Sequence, residues 1–285
     1  MREKSILVKG QLFRFEKPVI MGILNVTPDS FYSVSRKETE IAIRQRVEEI
    51  LSEGGTIIDL GGYSSRPDAE VVTEEEEQRR LAFALAIIRK HYPEAIISVD
   101  TFRASVVRRC VEDFEADLIN DISGGEMDTA MFETVASLHI PYILMHMRGT
   151  PKTMQQLTDY TDVTDEVILY LSTRMRELHL LGVADVIIDP GFGFSKTMEQ
   201  NYELMARLRE FDIFERPVLV GISRKSMLSK LLKIDTSACL NGTTVLNTFA
   251  LLHGADILRV HDVREAMEAI RILEMMRITC TPAKS

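Results

Sequence analysis

Eight short apolar runs, each ending in polar or glycine residues, set the strictest limit on how this chain can fold. They are Val19–Val26, Thr56–Gly61, Ala95–Val99, Leu118–Ile122, Pro141–Met147, Val186–Ile188, Pro217–Ile222 and Ile257–Val260. A strand that is apolar on both faces has to be covered on both, as parallel strands are between a core and a layer of helices. The segments between the runs have helical spacing. Thr73 with Glu76 reads as a capping box ahead of Leu81, Leu85 and Ile88. Residues 163–181 place Val167, Leu171, Leu178 and Leu181 on one face and end at Gly182. Eight strand–helix units suit the roughly 250 residues of an α/β TIM barrel. A doubly wound open sheet is the competing architecture, but it usually has fewer strands and a Gly-rich first turn.

Ahead of the first run, Ile6–Val8, Lys9-Gly10 and Leu12–Phe15 read as a short hairpin that could plug the bottom of the barrel. Thr279–Ser285 reads as a disordered tail, and no linker interrupts the chain, so one domain over residues 1–285 is expected. Composition, at 45% hydrophobic and 27% charged, is that of a soluble globular protein. A formal charge of -9 argues against a nucleic-acid binder that depends on a basic face. Cys110, Cys239 and Cys280 lack disulfide or zinc spacing, and the opening MREKSILVKG lacks an apolar signal core. A cytoplasmic protein with reduced thiols is the expectation.

In a barrel, working groups gather at the C-terminal ends of the strands. Here those ends offer Asn25, Asp59, Asp100, Asn120 with Asp121, His146, Asp189, Ser223 then Lys225, and Arg259 with His261. Any one of these could be a turn or cap residue. Eight ends of this kind converging on one rim point to a ligand, since burying several carboxylates together is otherwise costly. The set divides by charge. Lys225, Arg259 and His261, with Asn25 beside them once the ring closes, look made for an anion. Asp100, Asn120 and Asp189 suit a flat ring with adjacent N–H donors. A heterocycle with an amidine-like edge and a phosphate tail would satisfy both halves.

Plainer readings apply elsewhere. Glu74–Glu77 read as acids at a helix N-terminus rather than as a metal cluster. The sequence GFGF (191–194) lacks the spacing of a nucleotide loop. His146 could be a hydrogen-bonded wall residue or a functional one. His91, His139, His179 and His253 read as structural or solvated, Cys110 as packing, and Asp121 as a possible cap on the opposite strand face. Asp59 reads as a partner for substrate-loop backbone.

The stretches MGILNVTPDSF (21–31), IIDLGGYSSRP (57–67), SVDT (98–101), NDISGG (120–125), MHMRGTPKTMQ (145–155), DPGFGFSK (189–196), GISRKSML (221–228) and RVHDV (259–263) resemble dihydropteroate synthase, in order along the chain. That family joins 6-hydroxymethyl-7,8-dihydropterin pyrophosphate to p-aminobenzoate, giving 7,8-dihydropteroate and pyrophosphate in folate synthesis. The resemblance implies that Asp100, Asn120, Asp189 and Lys225 hold the pterin. Met145, Gly193 and Phe194 would line its slot, with Arg259 against the ring. Asn25, Arg259 and His261 would take the pyrophosphate, and Mg2+ would be reached through Asn25. Ser65, Arg66 and Pro67, with Phe194, Lys225 and Ser226, would shape the p-aminobenzoate pocket, which sulfonamides occupy in the family. Lys225, Arg259, His261, Asn25 and Asp100 are the implied catalytic group, and a homodimer through outer C-terminal helices is implied as well.

Two stretches depart from the family pattern. Gly61-Gly62-Tyr63-Ser64-Ser65-Arg66-Pro67 stands where members commonly read Gly-Gly-Glu-Ser-Thr-Arg-Pro, and Tyr32-Ser33-Val34-Ser35 replaces Ser-Asp-Gly-Gly. Two other functions compete: a pterin-binding methyltransferase with a corrinoid partner, and a pterin-binding paralogue without catalysis. The cationic residues of SRKS and RVHD weigh against the methyltransferase.

Overall fold

The computed structural model describes residues 4–26, 36–63 and 72–280. Eight parallel strands form the wall of a barrel: β3 (Val19–Asn25), β4 (Ile57–Gly61), β5 (Ile96–Asp100), β6 (Leu118–Asp121), β7 (Tyr142–Met145), β8 (Val186–Asp189), β9 (Leu219–Val220) and β10 (Ile257–Val260). Their order, β8-β7-β6-β5-β4-β3-β10-β9, leaves one seam between β8 and β9. It is closed by a single parallel bridge between Ile188 and Val218, where the Ile188 N–H donates to the Pro217 carbonyl at 2.8 Å.

Helices follow the strands around the outside: α1 (Arg36–Ser52), α2 (Glu74–His91), α3 (Ala104–Phe114), α4 (Met131–Leu138), α5 (Val163–Leu180), α6 (Met198–Ala206), α7 (Ser226–Leu232), α8 (Leu240–Leu252) and α9 (Val263–Cys280). Each turns an apolar face onto the strands, so one continuous core fills the space between wall and helices, including Ile43, Leu81, Leu85, Ile88, Val167 and Leu171. A second core lies inside the ring at its N-terminal end. Val19, Met21, Ile57, Leu118, Ile143, Ile187, Leu219 and Ile257 meet there, capped by Ile6, Val8 and Phe15. Ile6 and Val8 belong to β1 (Ser5–Val8), which pairs antiparallel with β2 (Gln11–Arg14). The expected hairpin is therefore a plug, and it seals the bottom by burying apolar surface that the short strands leave open.

Local readings need adjustment in four places. Thr73 caps α2 by accepting the Glu76 N–H, but the Glu76 carboxylate turns to Arg79 and Arg80, so the reciprocal half of the capping box is missing. Leu181 lies just past α5 and is exposed, because the helix ends before a further turn would bring it inward. The seventh apolar run contributes only a two-residue strand, since Pro217 has no N–H to offer a ladder. Thr279 and Cys280, expected in the tail, lie inside α9; residues 281–285 lie outside the described residues. Among the described residues, no helix is long and apolar enough to cross a membrane.

Candidate active site

Side chains of a strand alternate between its two faces. Counting two residues up from the inner apolar floor reaches Ile23, Asp59, Asn120, Met145, Asp189 and Arg259, so the inner wall turns polar one layer above the plug. Asp100 and Asn25 stand at the last positions of β5 and β3, level with the rim. The sequence decides this by composition alone: runs such as IIDLG and VIID place an acid on the inner face of an otherwise apolar strand.

These groups are bonded to one another. The Asn120 amide donates to Asp59 at 3.2 Å and 3.4 Å. The Arg259 guanidinium donates through Nε to Asp59 at 2.5 Å and through Nη2 to Asp100 at 2.6 Å. Asp59 is fully buried and is the interior counter-charge for Arg259, not a partner for loop backbone. Burial pushes the Asp100 carboxyl up to about 7 even though Arg259 pulls the other way. Asp189 accepts the Gly191 N–H at 2.8 Å, and burial raises its pKa against the pull of Lys225 and Arg259. The expected split into an acidic and a cationic half does not hold, because Arg259 crosses it and uses part of its donor fork on two carboxylates.

Lys225 comes from the loop between β9 and α7. Its ammonium donates to the Phe192 carbonyl and sits 4.6 Å from the centre of the Phe194 ring. Burial lowers its pKa to about 8, with Asp189 opposing. The preceding Arg224 adopts φ 55°, an uncommon conformation for a residue other than glycine, and its guanidinium grips Asp262 at 2.5 Å and 3.0 Å. That ion pair ties the loop of Lys225 to the loop of His261. Gly193, at φ +81°, lets the loop after β8 pass Lys225 closely: a Cβ there would lie 2.9 Å from Lys225 Cδ.

His261 is not part of a cationic nest. Burial and the Arg259 charge bring its pKa down to about 4, so at neutral pH the ring is uncharged. Ser223 Oγ accepts the His261 backbone N–H at 3.2 Å and lies 3.0 Å from Nδ1. A hydroxyl has one proton and two lone pairs, so Oγ can donate to Nδ1 while accepting the backbone N–H, and in that arrangement the ring carries its own proton on Nε2.

A cavity of about 790 Å³ opens over this rim, lined among others by Asn25, Asp100, Phe194, Lys225, Arg259 and His261. Ser226 and Gly193 also border it, and Tyr63 stands on its edge with its ring packed edge-on against Phe102 at 5.1 Å. Asn120, Met145 and Asp189 lie buried beneath. Ser65, Arg66 and Pro67, like Tyr32–Ser35, lie outside the described residues. A separate cavity of about 460 Å³ at the hairpin end is lined by Lys9, Arg89 and Asp117 and holds none of these groups.

The family described as "Pterin binding enzyme" matches residues 21–261. Dihydropteroate synthase of Escherichia coli strain K12 is 41% identical over 272 residues, covering 95% of each protein. The chain belongs to the dihydropteroate synthase family. Among solved structures, Yersinia pestis dihydropteroate synthase with a sulfonamide drug complex superimposes with a TM-score of 0.89 at 36% identity, covering 96% of this chain and 99% of that one. The Thermus thermophilus dihydropteroate synthase in complex with 4-aminobenzoate gives a TM-score of 0.85 at 33% identity, covering 96% of this chain and 100% of that one.

Asp59 is legible at its strand end, but its partner is Arg259 instead of loop backbone. Arg224 and Lys196 carry no such signal, because Asp262 and His146 lie 38 and 50 residues away from them in sequence. Lys196 is buried with its Nζ 3.0 Å from His146 Nδ1, and His146 is itself buried in the wall. Asp121 is a cap, accepting the N–H groups of Ser123 and Gly125 and the Tyr142 hydroxyl on the outer face. Of the acidic run at the start of α2, Glu77 is buried and paired with Arg103 instead of facing water.

Proposed function

We propose that this chain condenses 6-hydroxymethyl-7,8-dihydropterin pyrophosphate with p-aminobenzoate to give 7,8-dihydropteroate and pyrophosphate, a transferase step of folate biosynthesis. The observation that carries this reading is the joined set Asn120–Asp59–Arg259–Asp100 with Asp189 and Lys225 under one cavity mouth. Carboxylates and a carboxamide facing a slot from several strands match the N–H-rich edge of a pterin.

The pterin ring would enter the barrel over Met145, with Asp100, Asn120 and Asp189 at its polar edge and Lys225 above. Its diphosphate would lie toward Asn25, Arg259 and His261. Pyrophosphate departs from a CH2 on an electron-rich ring, so positive charge on that carbon is shared with the ring as the C–O bond breaks. The enzyme's work is to hold the leaving charge and align the amine. The remaining N–H groups of Arg259 and the Nε2–H of neutral His261 donate to diphosphate oxygens. The aromatic amine attacks with its free lone pair, forming the C–N bond, and loses its extra proton to solvent or to departing pyrophosphate. No strong general base is needed. Phe194, Lys225 and Ser226 would shape the p-aminobenzoate side together with Ser65, Arg66 and Pro67, and sulfonamides would compete there.

Magnesium suits this site in one respect. Asn25 offers a hard amide oxygen at the cavity, which suits an ion held chiefly by diphosphate oxygens and water. When bound, Mg2+ would neutralise charge on the leaving group. A homodimer is proposed through α8 and α9, where Val245, Leu252 and Ile272 are exposed. The chain is proposed to act as a single domain in the cytoplasm.

The deciding experiment incubates the purified protein with both substrates and Mg2+ and follows 7,8-dihydropteroate by chromatography. Pterin binding without product would favour the non-catalytic paralogue and overturn the proposal.

A further inference from the structure

We infer that Lys196 and His146 form a buried pair that fixes the working shape of the loop between β8 and α6, and that both are positioning residues for the transfer reaction. This rests on the functional reading above. Neither residue lines the cavity, and each is nearly sealed from solvent, at 3% and 1% exposure.

The geometry around the ammonium is complete. Lys196 Nζ has His146 Nδ1 at 3.0 Å, the Gly191 carbonyl at 2.9 Å and the Phe194 carbonyl at 3.0 Å. Burial pushes the Lys196 pKa down against the pull of Asp189, and three acceptors around Nζ are what an ammonium requires once water is excluded. For Nδ1 to accept, His146 must be neutral with its proton on Nε2. Burial, with Lys196 and Arg148 nearby, favours that neutral ring. The ring is itself held edge-on against Tyr170, 4.9 Å between centres.

What the pair holds is the stretch from Asp189 to Lys196. Gly191 has φ +74°, and a Cβ on it would lie 2.0 Å from the His146 carbonyl, so the loop is pressed directly onto the end of β7. Three site groups hang from it. The Gly191 N–H orients Asp189, the Phe192 carbonyl receives Lys225, and the Phe194 ring lies beside the Lys225 ammonium. Lys196 grips two carbonyls of the same short stretch and ties them to β7. The plainer alternative is that Lys196 merely fills space, in which case an apolar side chain of equal length should serve.

The test compares wild type with Lys196→Met, His146→Leu and His146→Asn, measuring melting, kcat and KM for both substrates, and pterin pyrophosphate affinity by calorimetry. Loss of the staple should lower kcat/KM by on the order of 10²-fold in Lys196→Met and His146→Leu, with weaker pterin binding and a raised p-aminobenzoate KM. In His146→Asn the amide oxygen can replace Nδ1 as acceptor, and activity should return most of the way to wild type. Folded Lys196→Met with wild-type kinetics, or equal loss in the two His146 variants, overturns the inference. If the variants do not fold, the 15N spectrum of the wild-type ring decides. Nδ1 unprotonated and Nε2 protonated supports the pair; the opposite tautomer or an imidazolium refutes it. Lack of turnover by wild type itself would count against the functional reading and leave the ring spectrum to judge this pair.

Discussion

Replacing Asp59 by leucine should be among the most damaging single changes available inside the barrel. Asp59 has no exposed surface and accepts Arg259 Nε at 2.5 Å and the Asn120 amide at 3.2 Å. Removing one member of a buried ion pair strands its partner's charge, at about 3–5 kcal/mol. Arg259 keeps Asp100 through Nη2 and is 21% exposed, so the lower end, about 3 kcal/mol, applies. With one anchor gone the guanidinium shifts against the diphosphate position, and kcat/KM should fall by about 10²-fold. Urea denaturation followed by circular dichroism reads the stability term through the midpoint at constant m. The double variant Asp59→Leu/Arg259→Met should regain only part of the lost stability, because it removes the stranded guanidinium but leaves Asp100 without its ion-pair partner, while activity stays low. A single variant within about 0.5 kcal/mol of wild type would refute the reasoning, as would a double variant no more stable than either single.

Three further outcomes are expected. Asp100 has a folded pKa raised to about 7, so its contribution to stability is full below its unfolded value and is lost as pH rises toward 7. The stability of Asp100→Asn relative to wild type should therefore climb across that window and level off above it; a difference that is flat with pH contradicts the assignment. Lys225→Ala should lower kcat/KM by at least about 10²-fold, and the wild-type profile should lose activity as Lys225 deprotonates near pH 8, a limb shifted upward in Lys225→Arg. Near-normal turnover in Lys225→Ala would remove it from the centre of the site. Ile6→Ala, in the hairpin plug, should cost about 2–5 kcal/mol in denaturation while leaving kcat close to wild type, since the plug lies at the opposite end from the cavity.

The strand–helix alternation was legible because both periodicities are written in apolar residues, and all eight runs match their strands to within two positions at each end. The rim was legible for a related reason: a polar residue that ends an apolar strand must go somewhere specific. Charge was harder to read. Arg259, His261 and Lys225 look alike as basic residues in sequence, yet burial and neighbours make one a partner of two carboxylates, one a neutral ring and one a weakened base. Lys196 gave no signal at all. A lysine following a glycine-rich loop is ordinarily solvated, and only the folded path of residues 189–196 brings three acceptors around it.

Most neighbours in the ring share several paired residues, but β8 and β9 meet at Ile188 and Val218 alone. A wheel rim joined by one rivet gives first at that joint. Asp189 sits one residue beyond the joint on one side and Lys225 seven residues beyond it on the other, so spreading the seam would pull apart the acid and the ammonium proposed to hold the pterin. The amides of Ile188 and Leu219 should then exchange with deuterium sooner than those of β4, and a bound pterin, bridging the gap, should slow them.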